Sequence, residues 1–247
     1  KAARAKSWSA MNLAQGIALQ DPLTGVTDRI GDYWATDNQK RLINSLQGIL
    51  ADNVANDSGD LLHTVATDAA GAVTDAEKAS ALNFIKALEL TGDKLDLIGA
   101  MAIHSSVYYG LYAMNLITFV KESEDSSFAT FQGKRVVVDD ALIVTAGTNR
   151  VTYTSILFGV GAVEAGEGNM PKTLASEMYR KPDSGNGGGE DIIYSRRTDI
   201  IMPVGFSFVG GSVAGQSATY AELQSAANWD RVWDAKNIPL RFLQTNG

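Results

Sequence analysis

Thr27-Asp28-Arg29-Ile30-Gly31-Asp32-Tyr33-Trp34, continued through Leu42 and Leu46-Gln47-Gly48-Ile49, is the stretch that decides the fold. Ile30, Trp34, Leu42, Leu46 and Ile49 recur at helical spacing. Asn38 interrupts the stripe, and Asp32, Asp37, Gln39 and Arg41 fall elsewhere. Thr27 is a suitable N-cap, with Asp28 in the first turn where the helix dipole favours an acid. Asp21-Pro22-Leu23-Thr24-Gly25 reads as the turn before it. The spacing predicts one helix over 27–53, about seven turns at 3.6 residues each. No proline interrupts it, and Gly31 and Gly48 cost only modest propensity.

Working outward, 51–71 reads as a polar loop around Asn53, Asn56, Asp57, Ser58, Gly59 and Asp60. Thr74-Asp75-Ala76-Glu77 is a capping-box sequence. It precedes a helix with Ala81, Leu82, Ile85 and Leu88 on one face and Gly92 past its end. Leu97 to Ile103 reads as a buried strand. Ser105 or Ser106 then caps a short helix carrying Val107, Leu111 and Met114.

Beyond a charged loop, Lys121 to Ser127, strands are expected at Phe128 to Phe131, Arg135 to Val138, Val151 to Gly159 and Leu174 to Tyr179. Asp183 to Gly189 reads as a hairpin tip. Ile192 to Tyr194 and Ile200 to Phe208 flank Arg196-Arg197, with Pro203 demoting the second run to an edge or bulge. Trp229 and Trp233, four apart, fit one helix face in a tail that mixes aromatic and basic residues. Helices early and strands late, without βαβ alternation, make the fold class α+β.

Composition narrows the function. The chain has 247 residues, 45% hydrophobic and 20% charged, as in ordinary globular proteins. The absence of cysteine excludes a disulfide scaffold, a thiolate zinc site and a thiol nucleophile. A net charge of −7 argues against an electrostatically driven nucleic-acid binder. No apolar run reaches the roughly 18 residues a membrane span needs.

Catalytic constellations are weak. His63 and His104 are the only histidines, and neither lies in a metalloprotease motif. His104, between a strand and a helix cap, fits a structural hydrogen bond better than a general base. Asp139 and Asp140, at a strand end, fit a turn or cap better than a metal site. Gly159, Gly161, Gly166 and Gly168 do not have phosphate-loop spacing. No catalytic, cofactor or metal residue is therefore expected. Arg196 and Arg197 leave two readings open, because adjacent strand residues face opposite ways. One can pair within the fold while the other reaches a partner.

Several segments, taken in order, resemble major capsid proteins of tailed double-stranded DNA bacteriophages with the Hong Kong 97-type fold. They are Asp28 to Trp34 running into Leu46-Gln-Gly-Ile49, Gly92-Asp-Lys94 with Met101 to Tyr108, and Gly133-Lys-Arg-Val-Val-Val-Asp-Asp140. They continue with Tyr153 to Phe158, Gly187 to Asp191 with Ser195-Arg-Arg197 and Pro203-Val-Gly205, and finally Asn228-Trp229 with Lys236 to Leu240. The resemblance covers residues 21–247.

It implies a long spine helix, an elongated peripheral (P) domain over 25–62 and 168–208, and a compact axial (A) domain over 63–167 and 209–247. Residues 1–24 are then the remainder of an N-terminal arm and extended loop, shorter than the family carries. The implied role is structural: self-assembly as hexamers and pentamers into the icosahedral head around a double-stranded DNA genome. That DNA is bound without sequence specificity, and no membrane is involved. Portal, scaffold and decoration proteins are further partners the resemblance admits. The implied location is the virion, with assembly in the host cytoplasm.

The resemblance also implies that the returning hairpin meets neighbouring subunits, which makes Glu190, Asp191, Arg196 and Arg197 candidates for an intersubunit contact. Two other readings stand beside it. One is an encapsulin-like compartment with the same fold; the other is a metal-dependent hydrolase using Asp139, Asp140 and His104.

Overall fold

The computed structural model describes residues 2–12, 17, 22–94, 97–121, 127–168 and 174–247. The chain packs as two compact units. One comprises 1–42, 164–202 and 213–219; the other comprises 43–163, 203–212 and 220–247. The expected lobe boundaries placed the whole long helix in one lobe, whereas the division between units falls within it, after Leu42.

That helix, α1, runs over Pro22–Asn56, 35 residues, or about 52 Å at 1.5 Å per residue. It starts earlier than the Thr27 cap predicts. Pro22 takes the first helical position, where its missing N–H costs nothing. The expected turn over 22–25 is therefore helix, and Asp21 lies outside the described residues. Thr27 is interior, its hydroxyl donating to the Leu23 carbonyl at 2.9 Å.

In the first unit, β1 (Ala2–Met11) pairs along all ten residues with β11 (Glu190–Pro203), antiparallel. β10 (Ser176–Lys181) pairs with the other edge of β11, and β9 (Val163–Glu167) joins the same sheet. The expected run Ile192 to Tyr194 and the start of the run Ile200 to Phe208 are thus one continuous 14-residue strand that Pro203 ends, while Phe206–Phe208 forms a separate strand. The strand expected over 174–179 is β10. Gly166 is inside β9.

The first half of α1 joins this unit through a face that is part apolar and part ionic. Trp34 is buried and donates from Nε1 to the Ser195 hydroxyl at 2.9 Å. Asp37 accepts from Arg4 at 3.0 Å, and Arg41 is ion-paired with Asp199. Asp37 and Arg41, expected off the buried face, are on it: they stand three and seven residues after Trp34, which is one helix side.

In the second unit, eight strands form a mixed sheet. They include β2 (Leu62–Thr64), β3 (Ile98–Ile103), β4 (Ile117–Lys121), β5 (Ser127–Phe131) and β6 (Lys134–Val138). The others are β7 (Val144–Ala146), β8 (Val151–Gly159) and β14 (Leu240–Thr245). The order is β2-β14-β8-β3-β6-β5-β4, with β7 also paired to β8. A short hairpin of β12 (Phe206–Phe208) and β13 (Trp229–Arg231) stands apart.

Two helices, α2 (Ala81–Glu89) and α3 (Ser105–Ala113), close the core. Phe84, Ala87 and Leu88 of α2 and Val107 and Leu111 of α3 meet Met101, Ile103, Phe131, Val136, Leu157 and Leu243. The face predicted for α2 is displaced. Leu82 and Ile85 are exposed, while Asn83 and Phe84 are buried. Only the Glu half of the Thr74–Glu77 box forms: the Thr74 N–H and hydroxyl both donate to Glu77 at 2.7 Å, while the Glu77 N–H donates to the Thr74 carbonyl and closes a turn. Ser80 is the true cap, accepting from the Asn83 N–H at 3.3 Å.

Of the loop expected over Lys121–Ser127, Lys121 ends β4 and Ser127 opens β5, and 122–126 lie outside the described residues. Trp229 and Trp233 share no helix. Trp229 opens β13 and is buried, while Trp233 is exposed. Among the described residues, no helix is long and apolar enough to cross a membrane.

Candidate functional site

The candidate contact residues all lie on β11, and strand geometry separates them. Glu190 and Asp191 open the strand beside the turn that follows β10. Arg196 and Arg197 stand five to seven residues further on, about 20 Å away at 3.4 Å per residue. Within one chain, the acids and the arginines therefore do not meet.

Each finds a partner elsewhere. Asp191 faces Arg180 across the hairpin at 3.8 Å. Hydroxyls of Ser9 and Ser184, the latter at 3.0 Å, hold the Glu190 carboxylate below its ordinary pKa. Arg196 pairs with Glu177 at 3.0 Å, donates to the Leu174 carbonyl at 3.1 Å and lies over the Tyr194 ring. Arg197, on the opposite face, pairs with Glu167 at 3.2 Å, and both of these side chains are exposed. Glu167 and Glu177 were not foreseen. Nothing in a run of separated acids signals which will lie across a sheet from an arginine.

The three residues of the hydrolase reading are placed together, in a structural arrangement. His104 is the N-cap of α3, where Ser105 or Ser106 was expected. Its Nδ1 accepts from the Ser106 N–H at 3.1 Å. Its ring faces Tyr153, with centroids 4.9 Å apart. Asp140 accepts from the Ser105 N–H at 3.2 Å. The Ser105 hydroxyl and N–H, with His104 3.7 Å away, lower its pKa. Asp139 accepts from the Ala141 N–H at 2.9 Å, closing the turn after β6. These bonds tie β3, α3 and β6 together. Among the described residues, no group of three or more His, Asp or Glu side chains is placed to hold a metal.

A second unforeseen group is structural. Arg241, on β14, is fully buried and donates to four carbonyls, those of Leu90, Ala235, Ile238 and Leu240. Burial lowers its pKa to about 10. It stitches the end of α2 to the C-terminal segment.

One very long helix, an antiparallel sheet with a returning hairpin and a mixed sheet flanked by two short helices are the features that the resemblance to the Hong Kong 97-type fold implies. No protein-family model matches the chain. The chain is 32% identical over 240 residues to the major capsid protein of Bacillus phage SPP1, covering 95% of this chain and 68% of that protein. By fold it is similar to the holo-SrpI encapsulin complex from Synechococcus elongatus PCC 7942. The TM-score is 0.57 at 12% identity, over 99% of this chain and 73% of the other. The mature capsid of bacteriophage PhiM1 is a further match, with a TM-score of 0.42 at 13% identity, over 82% and 68% of the two chains. The chain belongs to the major capsid proteins of tailed bacteriophages, and its role is that of a structural component of the capsid.

Proposed function

We propose that this chain assembles as hexamers and pentamers into an icosahedral head that encloses a double-stranded DNA genome. The observation that carries the reading is the 32% identity across 95% of the chain with a phage major capsid protein. The unit containing β1, β10 and β11 acts as the peripheral domain, and the unit containing the eight-stranded sheet as the axial domain. DNA is enclosed without sequence recognition, in keeping with a net charge of −7. Portal, scaffold and decoration proteins complete the head, and assembly takes place in the host cytoplasm. The chemistry is structural, not catalytic.

Of the four candidate contact residues, Glu190, Asp191 and Arg197 act between subunits. Arg197 is the best placed of the four. Its pair with Glu167 is exposed and worth only about 0–1 kcal/mol, so exchanging it for a neighbour's acid costs little. Arg196, held by Glu177, Leu174 and the Tyr194 ring, stays within its own subunit.

The fold likeness to an encapsulin favours a second reading, a compartment holding protein cargo. The contents of particles recovered from the source separate the two. Nuclease-protected DNA of genome length supports the head. Particles filled with a single enzyme and free of DNA would overturn it.

A further inference from the structure

The end of the eight-stranded sheet carries an apolar surface that none of the described residues covers. Four rings run continuously across it. Tyr108 and Tyr109 of α3 are 5.6 Å apart, Tyr108 stacks on Tyr112 at 6.2 Å, and Tyr112 meets Phe119 of β4 edge-on at 6.4 Å. Tyr109 is 67% exposed, Tyr112 51% and Phe119 56%, and Met114 at the end of α3 is 46% exposed.

β4 is the last strand of the sheet, so among the described residues no strand pairs with its outer edge. Soluble proteins blunt such edges with charges, proline or bulges. Here the strand reads Ile-Thr-Phe-Val-Lys, with one charge at its end. A free subunit with this edge is prone to associate; a subunit that buries the edge in its working state is not.

The size of the patch indicates what covers it. At roughly 200 Å² per aromatic side chain, the three exposed rings and Met114 leave about 400–450 Å² of apolar surface bare. A standard interface buries about 800 Å² per partner, somewhat over half of it apolar. The patch therefore supplies about the apolar share that one side of such an interface needs. Tyrosine and phenylalanine are also the residue types enriched there.

We infer that the row Tyr109, Tyr112 and Phe119, with the open edge of β4, is a contact surface for a second copy of this chain. The inference rests on the reading of the chain as a self-assembling shell subunit.

Hydroxyl-radical footprinting of the purified full-length chain, dissociated and as particles, tests it. Modification of Tyr109, Tyr112 and Phe119 should fall to background in particles built from this chain alone. Particles whose rings stay as reactive as in the free subunit would overturn the inference and leave the shell reading standing. Protection that appears only after other head proteins are added would overturn the second copy as occupant. A chain that never leaves the monomer would overturn the shell reading and this inference together. Tyr109→Glu changes an exposed side chain, so the subunit should keep its unfolding midpoint while particle yield falls about tenfold or more. Unchanged yield would count against the contact.

Discussion

Replacing Gly48 by alanine sets two effects of opposite sign against each other. In an open helix the change stabilises by about 1 kcal/mol, because glycine pays the larger backbone entropy. Gly48 is not open. A methyl group there falls on the Leu223 carbonyl oxygen and comes within 2.5 Å of Trp229 Nε1 and 2.7 Å of its Cδ1. Neither neighbour yields easily. The carbonyl is backbone, and the Trp229 ring is buried and donates to that same carbonyl at 2.8 Å. Forcing a methyl into a packed site costs about 1–3 kcal/mol, and breaking the Trp229–Leu223 bond adds about 0.5–1.5 kcal/mol. After the propensity gain, Gly48→Ala should destabilise the subunit by about 1–3 kcal/mol. Urea unfolding of the dissociated subunit, followed by tryptophan fluorescence, measures it. Gly31→Ala is the control, since none of the described residues lies within 4 Å of the new methyl; it should be neutral or stabilising. If Gly48→Ala were as stable as Gly31→Ala, the close approach of α1 to the segment before β13 would be wrong.

Four further outcomes are expected. Trp34→Ala should cost about 3–5 kcal/mol, and Trp34→Phe, which keeps most of the burial but strands the Ser195 hydroxyl, about 1–3 kcal/mol. A Trp34→Phe loss near zero in urea titrations would mean the indole N–H is not paired as described. Arg241→Ala leaves buried carbonyls unpaired and should cost at least about 3 kcal/mol, read from the same titration. Glu77 accepts from the Thr67 hydroxyl, from the Thr74 N–H and hydroxyl and from Arg150, which together pull its pKa from 4.5 to about 2. A lowered folded-state pKa stabilises above the unfolded value and is lost as pH falls. Wild type should therefore lose stability between about pH 4.5 and 2 more steeply than Glu77→Gln, and parallel curves would remove Glu77 from the account. Arg197→Glu should leave the circular dichroism of the subunit unchanged and lower shell yield, with Glu190→Arg or Asp191→Arg restoring part of it. Loss of subunit folding would place Arg197 in an internal role instead.

The long helix was legible because Ile30, Trp34, Leu46 and Ile49 keep one period over many turns. Its start was not, because Pro22 and Gly25 are read locally as turn residues, while a helix held by its neighbours absorbs both. The polar members of the buried face were hidden for a similar reason. Asp37 and Arg41 sit at the right spacing from Trp34, but a polarity pattern assigns charges to solvent unless a partner is known, and their partners Arg4 and Asp199 are distant in sequence. β6 and β8 were plain from β-branched runs. β2 and β14 were not, since each gains its conformation from pairing with the other across the length of the chain. His104 was read correctly as a hydrogen-bonded histidine at a strand end, although its role as the cap of α3 was not. For the candidate contact, the sequence located the charges and the opposite facing of Arg196 and Arg197. It could not indicate Glu177 and Glu167 as their partners within the subunit, which only the sheet and its neighbouring strands bring near.

Electron microscopy of particles formed by the purified chain tests the central claim most directly. A subunit of this family should give closed shells built from rings of five and six. Density for each subunit should hold a helix of about 52 Å, a four-stranded sheet and an eight-stranded sheet, with β14 between β2 and β8 in the larger one. A protein that stays monomeric under all assembly conditions, or closed shells whose subunits lack the long helix, would contradict it.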